Sequence, residues 1–195
     1  MNFGKIEKLW KQILEEIGED TSRPGLKETP KRISKMYSEI FKGYDEKNKP
    51  SITQFENGKD GLSSNGIICD KGYFFSHCEH HGVPFFGEYY FGYIPGKNLI
   101  GLSKIARLID FYSSKLQVQE RLTRQVMDEI QNEVNPKGAI LILKARHFCK
   151  ELRGVKKFNG NMITSECSGK FEENSNLKEE FMNLVSFDTK WNLKN

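Results

Sequence analysis

Ile6, Leu9, Trp10, Ile13, Leu14 and Ile17 recur at the spacing of one helical face, and Gly18 follows as a stop. An amphipathic opening helix is predicted. Glu19 to Leu26, containing Pro24-Gly25, reads as a loop. Thr29-Pro30 has the form of an N-cap followed by proline in the first turn. Ile33, Met36, Tyr37, Ile40 and Phe41 then supply the buried stripe of a second helix, which Gly43 ends. Residues 44 to 66 are rich in Lys, Asn, Asp, Ser and Gly, and read as loop with a short strand at Ile52–Phe55.

From Ile67 the period changes from helical to strand-like. Two β-rich runs, Ile67–Ser76 and Val83–Ile94, flank a Cys/His cluster, and Pro95-Gly96 closes the second. Ser103 to Leu116 is helical, with Ile105, Leu108, Ile109 and Tyr112 on one face. A further helix over Gln117–Val134 turns Leu122, Val126 and Ile130 inward. Asn135-Pro136-Lys137-Gly138 is a turn, Ala139–Cys149 a strand, and Gly160–Phe171 its antiparallel partner. A short helix over Leu177–Val185 precedes a tail expected to fray from Ser186. The order is ββααββ behind a helical extension, an α+β chain with an antiparallel sheet and helices on one face. The extension covers residues 1–50 and the main body 51–195, as one compact unit.

Composition narrows the class. Hydrophobic residues make up 37% of the 195, which supports a core. The longest clean apolar run, Ala139–Leu143, is far below the roughly 20 residues of a spanning helix. The N-terminus lacks the apolar core of a signal peptide, so a soluble cytoplasmic protein, not a membrane protein, is expected. Thirty Lys and Arg against 26 Asp and Glu leave +4, too modest to argue for a nucleic-acid partner.

The rare residues carry the chemistry. Of four His, His77, His80 and His81 cluster around Cys78, and His147 lies two residues before Cys149. Four Cys (Cys69, Cys78, Cys149, Cys167) without a signal peptide do not read as a disulfide framework. Cys78-Glu79-His80-His81 places thiolate and imidazole at the C-x2-H spacing of zinc sites, and Cys149 is the natural third ligand. Three ligands leave a position open for water, a hydrolytic centre at which His80 and His147 act as acid and base. The rival is a closed structural zinc site with a fourth ligand from Cys69, Cys167 or His77. Cys78 and Cys149 must also lie close together, so loss of metal would let them oxidise to a disulfide.

Groups suited to a charged planar ligand surround this cluster. Gly101-Leu102-Ser103-Lys104 opens a helix, where free N–H groups attract anions, and Arg107 follows one turn on. Gln119 and Glu120 stand together near a helix start, where a carboxylate accepts N–H bonds from a purine edge. A solvated helix face with a dipole-favoured Glu is the plain alternative. Arg153 brings a cation four residues beyond Cys149.

At these residues the sequence resembles GTP cyclohydrolase I. The resemblance rests on Ser76–His81, Gly92–Pro95, Gly101–Arg107, Gln117–Thr123, His147–Cys149, Arg153-Gly154, Thr164-Ser165 with Gly169, and Glu28–Arg32 with Lys35–Tyr37. It implies the tunnelling fold, in which ββααββ units join into a ring, and a homo-oligomer of D5 decamer type. It implies Zn2+ on Cys78, His81 and Cys149. Glu120 would hold the guanine ring, helped by Gln119 and the backbone of Leu102-Ser103. Lys104, Arg107, Arg153 and Arg32 would face the triphosphate, some from a neighbouring subunit. Metal-activated water would attack C8, with His147 and His80 moving protons. Formate would leave, and an Amadori-type rearrangement would close 7,8-dihydroneopterin triphosphate. Gly82, Ser63–Gly66 and Ser114-Lys115 depart from the family's usual residues. Related pterin synthases use three His with an H-x-H pair, which this chain lacks.

Overall fold

Alternation along three neighbouring strands builds the core. The computed structural model describes residues 1–61 and 63–192, with side chains as far as Ser186. The extension is α1 (Phe3–Glu16) and α2 (Thr29–Ile40), followed by two single 3₁₀ turns. Strand β1 (Gln54–Glu56) leads to the long hairpin of β2 (Ile68–Cys78) and β3 (Pro84–Ile94). Then come β4 (Asn98–Ile100), α3 (Ser103–Ser113), β5 (Leu116–Gln117) and α4 (Gln119–Val134). Strand β6 (Gly138–His147), α5 (Phe148–Glu151), β7 (Met162–Gly169), α6 (Lys170–Glu173) and α7 (Ser175–Asn192) complete the chain. The main sheet has the order β5-β2-β3-β6-β7, antiparallel except for the short parallel bridge of β5 to β2.

Every second residue of the central strands faces α3 and α4. Phe74 and Cys78, Phe85, Tyr89 and Phe91, and Leu141, Leu143 and Ala145 join Leu108, Ile109, Leu122, Val126 and Ile130 in one buried cluster. The two crossover helices thus lie on one face, as the periodicity predicts. Among the described residues the opposite face is covered at one end only. There Phe171 of α6 and Phe181 of α7 pack with Ile94 and Ile140. Elsewhere Tyr73, Phe75 and Ile163 stand exposed on it. Strands β3 and β6 approach so closely that a methyl on Gly87 would lie 1.9 Å from the Lys144 carbonyl oxygen.

The extension is tied to the sheet edge near its end. Ser34 Oγ donates to the Phe3 carbonyl between the helices (2.8 Å). The Gly43 N–H donates to Ser114 O (3.0 Å), the Leu116 N–H donates to Tyr44 Oη (3.1 Å), and the Phe41 ring meets His77 edge-on.

Several boundaries differ from expectation for local reasons. Leu116-Gln117 is a strand bridge, not the start of α4, because Gln117 O accepts the Glu79 N–H (3.0 Å) and Val118 is extended. Strand β6 ends at His147, and Cys149 sits in the helical turn that follows. Helix α7 runs on to Asn192, past the point where fraying is expected; residues 193–195 of that tail lie outside the described residues. Asn135 ends α4 in a left-handed conformation (φ 48°) ahead of Pro136.

Two measurements check this packing. Leu141 is fully buried in a central strand, so Leu141→Ala is expected to cost about 2–5 kcal/mol in a chemical denaturation experiment. Burial raises the Asp70 carboxyl above its ordinary range, although the Tyr89 hydroxyl donates to it (2.9 Å) and the Lys71 N–H also helps the charge. A carboxyl raised on folding favours the fold when protonated, and that contribution is lost as pH rises through the folded value. Asp70→Asn is therefore expected to raise the melting temperature at pH 7, with the gain fading as pH falls below about 4.

Candidate metal centre

The core face of the sheet terminates at the chemistry. Cys78 is the last residue of β2 and closes the hairpin, its N–H donating to Val83 O (2.9 Å). The chain then makes a tight turn in which the Gly82 N–H returns to Cys78 O (2.8 Å). Gly82 has φ +68°, a left-handed backbone that glycine adopts without strain. The turn carries His81 back over Cys78, with Nδ1 3.9 Å from Sγ. Cys149 enters from α5. One ligand atom from each of Cys78, His81 and Cys149 lies within 4.8 Å of the others. Burial, then the neighbouring Cys78, pushes the Cys149 thiol up.

Two thiols and one imidazole are a zinc-type donor set, and tetrahedral zinc at ordinary bond lengths sets such atoms about 3.5–3.8 Å apart. The residues present therefore fit the ion with only a small contraction. None of the three proposed fourth ligands joins them. Cys69 and Cys167 pack on the α6–α7 face, where burial lifts the Cys69 thiol to about 11. His77, one residue before Cys78, faces the other way against Phe41. Among the described residues the group has three ligands, the number that leaves a position open.

Two further histidines flank the group differently. His80 is mostly exposed; its Nδ1 is 3.7 Å from Cys78 Sγ, and its Nε2 is 4.0 Å from Glu79 Oε1. His147 ends β6 and stacks on Phe85, centroids 4.6 Å apart and planes 5° from parallel. Burial pushes its pKa down, Glu120 pulls it up and Lys150 lowers it, with a net fall. Its Nε2 is 2.8 Å from Gln119 Oε1.

Gln119 is 1% exposed, and its surroundings decide the proton on His147. The amide nitrogen donates to Leu143 O (2.9 Å), Thr164 Oγ1 (3.1 Å) and Met162 O (3.2 Å). Thr123 Oγ1 donates to Gln119 O (2.8 Å) and so accepts from Thr164 (2.7 Å), which leaves Thr164 to accept from the amide. The amide oxygen can only accept, so His147 Nε2 carries the proton and Nδ1 keeps a lone pair. The resemblance assigns Gln119 to the purine; here its amide is committed to His147 and the sheet. Glu120, beside it, is exposed at the first turn of α4.

The cations divide into two groups. Arg153 is at the metal group, its Nη1 lying 2.9 Å from His81 Nε2. Leu102, Ser103, Lys104 and Arg107 are not. Helix α3 starts beside Ile68 and Tyr93 and ends at Ser76, whose hydroxyl donates to Ser113 O (2.8 Å). Its uncapped N-terminus therefore lies at the opposite end of the sheet, with about 16 Å of helix between. Arg32 is exposed on α2.

The sequence profile described as GTP cyclohydrolase I matches residues 6–186. The chain belongs to that family. A Helicobacter pylori (strain J99) protein named GTP cyclohydrolase 1 is 40% identical over 180 residues, covering 92% of this chain and 99% of its own. A Porphyromonas gingivalis protein of the same name is 42% identical over 181 residues, covering 93% and 92%. Among solved structures, the archaeosine synthase QueF-Like in the apo form matches with 17% identity and a TM-score of 0.47, over 55% of this chain and 97% of that one. The main body is the tunnelling fold of the GTP cyclohydrolase I family, and the family implies GTP as substrate. Among the described residues no helix is long and apolar enough to cross a membrane.

Sequence reasoning missed Glu79–Arg121 and Arg146–Glu151, two ion pairs that flank the ligands. The former joins residues far apart in the chain. The latter is indistinguishable, in sequence, from ordinary surface charge.

All four cysteines are free thiols, and two of them face each other. Chelated protein left in air is expected to fall from four titratable thiols to two, with Cys149→Ser holding three throughout; thiol titration checks it.

Proposed function

We propose that this chain is a zinc-dependent GTP cyclohydrolase, converting GTP and water to 7,8-dihydroneopterin triphosphate and formate. The observation that carries the reading is a three-ligand Cys–His–Cys group, with a histidine two residues before one ligand whose Nε2 is fixed on Gln119. Cys78, His81 and Cys149 would hold the ion, which when bound lowers the pKa of a coordinated water toward neutrality and so supplies the nucleophile for C8. His147 Nδ1, the nitrogen left with its lone pair, takes a proton as water adds and returns it to the purine nitrogen as the ring opens. Its Nε2–H stays on Gln119, so the ring does not turn between those steps. His80, exposed and beside Cys78, serves the later proton transfers of formate release, the Amadori-type rearrangement and closure.

Glu120 accepts from the N–H groups of the guanine edge, where a carboxylate is favoured at a helix N-terminus. Arg153 meets the triphosphate from the metal side. Lys104, Arg107 and the free amides at Leu102-Ser103 complete the pocket from a second copy, because within one chain α3 holds them at the far end of the sheet. Arg32 adds charge from α2. Tyr73, Phe75 and Ile163, exposed on the uncovered sheet face, support assembly into a ring of D5 type. No nucleic acid or membrane enters this reading. A cytoplasmic setting suits ligand thiols that must stay reduced.

Incubation with GTP is expected to yield a fluorescent pterin, after oxidation, of the product mass, abolished by chelator and restored by zinc. Cys149→Ser is expected to lose both zinc and turnover. His147→Ala is expected to lower kcat by about 10²–10⁴-fold with zinc retained. Full turnover in Cys149→Ser would remove the assigned ligand set.

A further inference from the structure

Cys149 sits in a four-residue helix, too short to hold itself together, so something outside it must fix the sulfur. The chain crosses the end of the sheet at this point. His147 lies on the core face against Phe85, whereas Arg146, one residue earlier, lies on the other face with its guanidinium 6.0 Å from the Phe86 ring. Phe148 follows Arg146 to that face and meets Phe86 edge-on at 5.4 Å. Glu151, the last residue of α5, is 4% exposed and closes the turn: Arg146 Nε donates to Oε1 (2.9 Å) and Nη2 to Oε2 (2.5 Å). Cys149, between Phe148 and Glu151, is left pointing back to Cys78.

We propose that Arg146 and Glu151 are positioning residues of the metal centre, a two-point clamp that fixes α5 across the tip of β6 and so sets Cys149 Sγ beside Cys78. The proposal rests on the metal reading of Cys78, His81 and Cys149. Guanidinium and carboxylate are both planar and meet along two parallel bonds, which constrains orientation as well as distance. A buried carboxylate is tolerable only while it is paired, so loss of Arg146 disturbs the turn more than loss of both charges. Glu79 and Arg121 tie the opposite ligand turn to α4, but Glu79 is far more exposed than Glu151, and an exposed pair constrains less.

The test uses the zinc-loaded full chain mixed with excess chromophoric chelator, well below its melting temperature. Arg146→Met and Glu151→Gln are expected to release zinc about 10–100-fold faster than the unaltered protein. Arg146→Lys, which keeps the charge but not the fork, should fall between. The double variant Arg146→Met/Glu151→Met separates positioning from simple stability. It is expected to melt within a few degrees of the unaltered protein yet still release zinc well above the unaltered rate. Release within twofold of the unaltered rate in Glu151→Gln, the near-isosteric change, would overturn the clamp, as would a normal rate in the double variant.

A metal-free arm keeps the two readings apart. A trivalent phenylarsenical binds two thiols held close together, with Cys149→Ser as its blank. Its affinity for the chelated protein is expected to drop about tenfold or more in Glu151→Gln, in line with outer-shell effects on metal binding. If the unaltered chain takes up no zinc, the metal reading fails and the arsenical titration alone decides: equal capture by the variants refutes the clamp, and weakened capture sustains it.

Discussion

The arrangement depends on a register. Strand β3 lies between β2 and β6, and Phe85 is paired with Ser76 on one side and His147 on the other. That alignment brings the ends of two strands, distant in the chain, to the same edge of the same face. Cys78 then follows Ser76 at the tip of β2, and Cys149 follows His147 just beyond β6. A slip of one residue in either pairing would turn every side chain to the opposite face and part the sulfurs. The buried cluster of Phe74, Tyr89, Phe91, Leu141 and Leu143 makes such a slip costly, because each would exchange the helices for water. The hydrophobic core and the metal group are therefore one construction, and the metal group is the exposed end of the core.

Around that end the polar groups are set by what they cannot do. Gln119 has one face that only donates and one that only accepts, and three acceptors stand on the donating side. The remaining direction fixes His147. Phe85 beneath the ring removes its freedom to tilt and contributes to the burial that lowers its pKa. An oriented imidazole is thus obtained from an amide, an aromatic ring and two threonines.

Much of this was legible in the sequence because it is periodic or rare. Alternation in β3 and β6, the 3.6-residue stripes of α3 and α4, and the gathering of Cys78, His80, His81, His147 and Cys149 all announce themselves along the chain. The end of β6 did not. His-Phe-Cys continues an alternating pattern, and the paired bonds from Arg146 to Glu151 that accompany the helical turn there leave no mark in it. The strand bridge at Leu116-Gln117 was equally hidden, since the residues suit a helix and it is the Glu79 N–H, far upstream, that recruits Gln117 O. Gln119 reads, in sequence, as a companion of Glu120. Its burial, which no local pattern records, gives it a different partner. Nor does sequence order reveal that Lys104 and Arg107 stand across the sheet from Cys78.

That last separation has a consequence for how damage spreads. In the proposed ring, where the N-terminal end of α3 completes a pocket whose Cys–His–Cys end belongs to another copy, no chain owns a whole pocket. An altered residue at one end of a chain then silences a pocket whose other half is intact, and the fault is inherited by a neighbour that carries none. In a mixed ring the loss falls on boundaries between copies, so its severity follows the order in which chains happen to sit.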